Sequence, residues 1–163
     1  MKKCWLLLFC ALLLSGCSVK ETFETVLDNY DISPAAYAVE IAFPEEAVIP
    51  SMEASDGSKI YMCDDFTVTV QTLAGEDINQ TFQEITGFPK EALTIMQTKK
   101  DGLDRYACAW STAGEGEDQI CRAVILDDGT YHYGVTVMAN YSKAGELTEK
   151  WQEILDSVSL NTD

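Results

Sequence analysis

Four strand-like segments follow one another between residues 92 and 139, and they constrain the fold more than any other feature of the chain. They read "ALTIMQTK", "LDRYACAW", "DQICRAVIL" and "YHYGVTVMA", and short polar turns such as Lys100–Gly102 and Asp127–Thr130 lie between them. Runs of β-branched and aromatic residues that end at Asp-Gly turns are typical of β-hairpins. The sequence therefore predicts a four-stranded antiparallel meander.

Two further strands are predicted before the meander. The segment "YAVEIAF" alternates Tyr37, Val39, Ile41 and Phe43 with smaller or polar residues, and it ends at a proline. The segment "KIYMCDDFTVTVQTL" is rich in β-branched residues that alternate with polar ones. Alternation with a period of two is the pattern of a strand with one buried face.

Two segments have helical periodicity instead. In "GEDINQTFQEITGF" the residues Ile78, Phe82 and Ile85 lie on one stripe, and a glycine follows the stripe. The last segment, "KAGELTEKWQEILDSVSL", forms a longer amphipathic stripe that can dock on a sheet; its apolar residues are Leu147, Trp151, Ile154, Leu155 and Val158.

These elements predict an α+β fold with an antiparallel sheet of about six strands and helices on both faces, an α/β/α sandwich. "DQICRAVIL" supports cover on both faces, because Val124 and Leu126 point to one side while Ala123 and Ile125 point to the other.

With "YAVEIAFPEE", the meander and the terminal "LTEKWQEILDSVSL", residues 37–160 resemble the PsbP-like group of proteins. The resemblance rests on pattern and element order, and it implies the same α/β/α sandwich. Members of that group are mostly accessory or assembly factors without shared catalytic residues, so the resemblance assigns no functional position here.

The first sixteen residues have the pattern of a secretory signal peptide. Lys2 and Lys3 precede the apolar run Trp5–Leu14, and the small residues Ser15 and Gly16 follow it. A positive start, a short apolar core and small residues define such a leader. An uncleaved anchor helix is the alternative, but about 20 apolar residues are needed to span a bilayer, and this run has ten.

The end of the leader, Leu14-Ser15-Gly16-Cys17, resembles the lipobox of bacterial lipoproteins, in which cleavage precedes the cysteine and the thiol carries a diacylglycerol. This resemblance implies that Cys17 is the lipidation site and that the lipid holds the protein on the extracytoplasmic face of the cell membrane. We expect a signal peptide at 1–16, a tether at 17–36 and a single domain at 37–163.

The charge of the chain disfavours whole classes of partner. Without residues 1–16, which hold two lysines and no acid, 9 basic and 27 acidic residues remain, a formal charge of −18. Such a surface repels nucleic acids and anionic headgroups, so we expect no nucleic-acid binding. The expected partners are the membrane, through the lipid on Cys17, and an envelope protein. A cation-attracting face is an alternative reading of the charge, but the chain has no EF-hand loop.

Three cysteines lie in the predicted domain: Cys63, Cys108 and Cys121. If the hairpin between the second and third meander strands turns between Gly114 and Glu115, then Cys108 and Cys121 face each other directly, within reach of a disulfide. Three buried free thiols are one alternative, and a bridge from Cys63 to either partner is another.

The sequence contains no recognisable catalytic or cofactor motif. The one histidine, His132, shares a strand face with Gly134, Thr136 and Met138, where it has no evident metal ligands beside it, and the methionines Met62, Met96 and Met138 are expected to fill the core. The acids of the turns at 115–118 and 127–128 are expected to be solvated. We therefore expect no metal or other cofactor and a non-catalytic binding or accessory module. An envelope hydrolase that uses acidic residues and a purely structural envelope protein are the alternatives.

Overall fold

A computed structural model of the protein describes residues 35–43, 51–75 and 77–162. The predicted signal peptide, Cys17 and the predicted tether up to residue 34 lie outside these described residues.

Nine strands and two α-helices form in the described part of the chain. In chain order the strands are β1 (Ala38–Glu40), β2 (Met52–Glu53), β3 (Lys59–Met62), β4 (Thr67–Ala74), β5 (Ile95–Lys100), β6 (Leu103–Thr112), β7 (Gln119–Asp127), β8 (Tyr131–Asn140) and β9 (Ser159–Asn161). Helix α1 (Ile78–Thr86) follows β4, and helix α2 (Ala144–Ser157) follows β8. Short 3-10 turns lie at Lys90–Ala92 and Tyr141–Lys143.

Seven strands form one antiparallel sheet in the order β2-β3-β4-β8-β7-β6-β5, and the predicted meander is confirmed as its β5–β8 part. The turn between β5 and β6 uses Asp101 (φ 52°) and Gly102 (φ 86°), both in the left-handed region. Two such residues in a two-residue loop suit a type I′ turn, whose twist matches that of the flanking strands.

The prediction of about six strands was wrong in three places, the first of which is the short edge strand β2, which was not predicted. "KIYMCDDFTVTVQTL" forms two strands, because the chain reverses at Cys63–Phe66, where the Cys63 N–H donates to the Phe66 carbonyl at 2.9 Å. Asp64 and Asp65 form this turn, which lacks the glycine that marks the other hairpins. The predicted first strand contributes only β1, which pairs with β9 outside the main sheet.

The larger core lies on the face of the sheet that α2 covers. Leu147, Trp151, Ile154 and Leu155 of α2 pack on buried side chains of the central strands, including Val68, Val124, Leu126, Val135 and Val137. The β1–β9 ribbon extends this cover, because Val39 and Leu160 pack against the same core. The predicted amphipathic stripe of the terminal helix is therefore confirmed.

Helix α1 covers part of the opposite face. Asp77 caps its first turn by accepting the Asn79 N–H at 2.8 Å, and Gly87 (φ 77°) ends it. Phe82 packs on Tyr106 and Ile125 of the sheet, while Ile85 lies above Gly134 of β8. Within residues 35–43, 51–75 and 77–162, one α-helix lies on each face of the sheet.

Gly134→Ala is expected to lower the free energy of unfolding, because an added Cβ would lie 2.5 Å from the Cδ1 atom of Ile85. Only the tip of Ile85 has to move, so we expect a loss of about 1 kcal/mol in chemical denaturation. Ile85→Val removes that tip, so the double variant should lose less than the sum of the single losses. Gly145→Ala is the matched control: a Cβ there meets nothing within 4 Å, and helix propensity predicts unchanged or higher stability. Equal losses in both glycine variants would contradict this packing.

Candidate functional site

The chain contains two arginines, Arg105 and Arg122, and the fold brings both to one groove. Arg105 lies opposite Leu126, and Arg122 lies opposite Ala109, so both side chains project from the face that α2 covers. We call this feature, which lies between α2 and the edge strand β5, the arginine groove. Its volume is about 300 Å³, and its other side-chain lining includes Met96, Ala107, Ala109, Gln152, Leu155 and Asp156.

The groove exists because the residues of β6 at its floor are small. Ala107 pairs with Met96 on one side and Val124 on the other, and Ala109 pairs with Arg122. Helix α2 lies mainly against β7 and β8. Alanine methyl groups leave the space beside the helix unfilled, and an open apolar floor results.

Arg105 supports the groove and is already neutralised. Its Nη2 lies 3.1 Å from the Asp156 Oδ1 and 3.5 Å from the Leu155 carbonyl oxygen, and its side chain is 11% exposed. A cation at the last turn of a helix interacts favourably with the helix dipole. Removing Asp156 would leave the largely buried Arg105 charge without its carboxylate, which is the costly way to break such a pair. Arg105 therefore fixes the end of α2 on the sheet.

Arg122 differs because no carboxylate contacts it among the described residues. Its guanidinium carbon lies 5.8 Å from the ring centroid of Trp151, which is fully buried. This cation–π contact holds the guanidinium in place without neutralising its charge. The groove thus combines an apolar floor with one available guanidinium, which can bind an anion.

Sequence reasoning missed both arginines as site residues. The available signal was the position of Arg122 within "DQICRAVIL", where it shares a strand face with Ile120 and Val124. A charged residue on the apolar face of a central strand is rare unless it is paired or functional. Met96 was predicted to fill the core, but it is 58% exposed at the mouth of the groove, and Met62 is 56% exposed.

His132 lies on the opposite face in a buried polar cluster. Its Nδ1 lies 2.6 Å from the Thr81 Oγ1, and its Nε2 lies 3.5 Å from the Asp127 Oδ2. Hydroxyl, imidazole and carboxylate also form the triad of serine hydrolases. Here, however, Thr81 and His132 are each 2% exposed beneath α1, and the small space beside Thr81 is lined by Asp77 and Glu84. Carboxylates there would repel an oxyanion, so the cluster is suited to joining α1 to β8.

The acids of the turns act as hydrogen-bond acceptors. Hydrogen bonds from the Ser142 hydroxyl and from the Ser142 N–H, which lies 2.8 Å from the carboxylate, lower the pKa of Glu117. Asp128 accepts the N–H groups of Thr130 and Tyr131 and the hydroxyl of Tyr133 at 2.6–2.7 Å. Burial raises the pKa of Asp128, but these hydrogen bonds outweigh burial and hold it below its usual value. These carboxylates order the turns.

Burial and the same carboxylate raise the pKa of Tyr133 to about 12. The Tyr133 hydroxyl accepts the Tyr37 N–H at 3.0 Å, and so it joins the segment before β1 to the main sheet. The Asp128–Tyr133 pair therefore fixes the point at which the predicted tether meets the domain.

The expected geometry of Cys108 and Cys121 was wrong. Cys108 lies opposite Ala123 and Cys121 opposite Trp110, because the hairpin turns between residues 115 and 116. The thiols are buried diagonal neighbours, and such pairs are about 7–8 Å apart, beyond the usual Cα separation of a disulfide. Both are unbridged in the structure, and burial raises the pKa of each to about 11. Cys17, the predicted lipidation site, lies outside the described residues.

The described residues contain no group of three or more His, Cys, Asp or Glu side chains arranged to hold a metal ion. No helix within residues 35–43, 51–75 and 77–162 combines the length and apolar character needed to cross a bilayer.

No protein-family model and no curated protein matches the chain. Solved structures do. LpqN of Mycobacterium tuberculosis, described as involved in cell envelope biogenesis, matches with a TM-score of 0.55 at 12% identity over 85% of this chain and 96% of its own. The cyanobacterial PsbP protein of Synechocystis matches with a TM-score of 0.52 at 9% identity over 78% of this chain and 95% of its own. The fold is therefore PsbP-like.

A protein from Bacteroides thetaiotaomicron also matches, with a TM-score of 0.53 at 10% identity over 77% of this chain. The chain spans 46% of the length of that protein. At these identities the likeness concerns the backbone fold alone.

Native Cys108 and Cys121 are expected to react slowly with iodoacetamide at pH 8. A pKa of about 11 in place of the usual 9.0 lowers the thiolate fraction about a hundredfold, and burial slows access further. Peptide mapping by mass spectrometry after timed labelling measures this, with guanidinium-unfolded protein as the control. Unfolded, unreduced protein should label fully at both positions. If Cys108 and Cys121 became labelled only after reduction, the two thiols would be joined in a disulfide, which would contradict this prediction.

Proposed function

We propose that the protein is a lipid-anchored lipoprotein on the extracytoplasmic face of the cell membrane, and that its domain is a non-catalytic binding module. The observation that carries the binding role is the arginine groove, in which Arg122 has no carboxylate partner among the described residues. A guanidinium held over an aromatic ring beside an apolar floor is typical of a ligand site, since few precisely placed polar groups orient a ligand in such sites.

The lipid anchor is supported by the leader and the lipobox-like end at Cys17. Each buried CH₂ of an acyl chain contributes about 0.8 kcal/mol to membrane binding, and stable attachment needs two or more chains. The strongly acidic composition would keep a tethered domain soluble and away from anionic headgroups.

The non-catalytic role is supported by the position of the one imidazole. His132 and its nearest hydroxyl, on Thr81, are buried between α1 and the sheet, and among the described residues Asp156 is the one carboxylate that lines the arginine groove. Binding without chemistry also agrees with the resemblance to the PsbP-like group, whose members are mostly accessory factors.

Cys17→Ser is expected to move the protein from the membrane fraction to the soluble fraction, because the thioether to the lipid cannot form. Mass spectrometry of the membrane-bound protein should show a diacylglyceryl group on Cys17. Cys10→Ser is the matched control, since that residue leaves with the signal peptide and the anchor should be retained. An intact N-terminus at Met1 in membranes would disprove the anchor.

A photocrosslinker, p-benzoylphenylalanine, at Met96 is expected to capture a ligand in the native envelope. Gln97 is the matched control, because it is an exposed neighbour on the same strand that points to the opposite face. The adduct at position 96 should disappear in an Arg122→Gln background. Equal adducts at 96 and 97, or an adduct that does not depend on Arg122, would contradict a binding role for the groove.

A further inference from the structure

The composition of the arginine groove defines the class of its ligand. Every other cation of the chain is a lysine, so both guanidinium groups of a protein with a formal charge of −16 line this one groove. A planar guanidinium matches a carboxylate with two parallel hydrogen bonds, whereas an ammonium acts as a point charge. Resting on the proposed binding role, we infer that the groove binds a small amphipathic molecule that carries a single carboxylate.

The number of negative charges on the ligand follows from the two arginines. Arg105 already pairs with Asp156, so its charge is neutralised within the protein. Of the two arginines, Arg122 is the one that has no carboxylate partner among the described residues, and its guanidinium can pair with one anionic group. Asp156 is 55% exposed at the rim of the groove, where it would repel a second negative charge. A dianion such as a phosphate monoester is therefore disfavoured.

The apolar part of the ligand follows from the floor. Ala107 and Ala109 present methyl groups, and the exposed Met96 supplies a flexible thioether chain that adapts to different shapes. Leu155 forms part of the opposite wall. An aliphatic or aromatic body packed here would cover apolar surface that otherwise faces water.

The size of the ligand follows from the volume. About 300 Å³ is the lower end of the range for small-molecule sites. A short ligand fits such a groove, with the carboxylate on Arg122 and the apolar body over Ala107 and Ala109.

The test is a series of three probes with one body and different charges: 4-phenylbutyrate, 4-phenylbutanol and 4-phenylbutylammonium. The full chain in lipid nanodiscs is titrated with each probe by calorimetry, and empty nanodiscs supply the partition background. We expect the carboxylate to bind at least about tenfold more tightly than the alcohol, because a charge-assisted bidentate pair is added. The ammonium should bind more weakly than the alcohol.

Arg122→Gln should abolish the preference for the carboxylate. Arg122→Met retains an unbranched side chain over Trp151 and should also abolish the preference for the carboxylate. It replaces the glutamine variant if that variant fails to fold. Lys99→Gln is the matched control, since it removes the same charge from the opposite face, where Lys99 pairs with Asp104 at 3.0 Å. That variant should retain the preference.

The outcomes separate the two proposals. Equal binding of carboxylate and alcohol would overturn the inferred ligand class while leaving the groove as a binding site. A carboxylate preference that survives loss of Arg122 would place the anion elsewhere and overturn the inference. Absence of binding by all three probes would also overturn the ligand class, whereas the crosslinking at Met96 tests the binding role independently of these probes.

Discussion

The burial of Trp151 between α2 and the central strands is the contact on which the rest of the structure depends. Its side chain is fully buried, packs edge-on against Phe66 at 6.4 Å and lies under the guanidinium of Arg122. An indole of this size contributes more buried apolar area than its neighbours in the stripe. Its indole N–H has no hydrogen-bond partner among the described residues, a cost that the surrounding apolar contacts offset. With Trp151 in place, α2 has one position on the sheet.

That position also creates the candidate site. In the part of the chain that the structure describes, one helix covers the centre of this face of the seven-stranded sheet, and the β1–β9 ribbon extends the same apolar core. Towards the β5 edge Ala107 and Ala109 are too small to fill the gap. The groove thus forms where α2 no longer covers the sheet. The Arg105–Asp156 pair fixes the wall of the groove that α2 supplies.

On the opposite face of the sheet, a buried polar contact supplements the apolar packing. Helix α1 is short, and it is joined to the sheet by apolar contacts of Phe82 and by the buried Thr81–His132 hydrogen bond. A buried imidazole costs little when its nitrogens have partners, and here Thr81 and Asp127 supply them. Thr81, His132 and Asp127 are residue types that also serve catalysis in other proteins, and here their buried contacts join α1 to the sheet.

The sequence by itself determined the meander and both helices, since alternation, helical stripes and Asp-Gly turns are local signals. It failed at the Asp64-Asp65 turn and at the hairpin between Cys108 and Cys121, where no local signal fixes the register. The tertiary structure alone decided that β1 pairs with β9, that Thr81 contacts His132, and that Arg105 and Arg122 share a groove. These contacts join residues distant in the chain, and their geometry follows from strand register and from where α2 lies. Local periodicity contains neither.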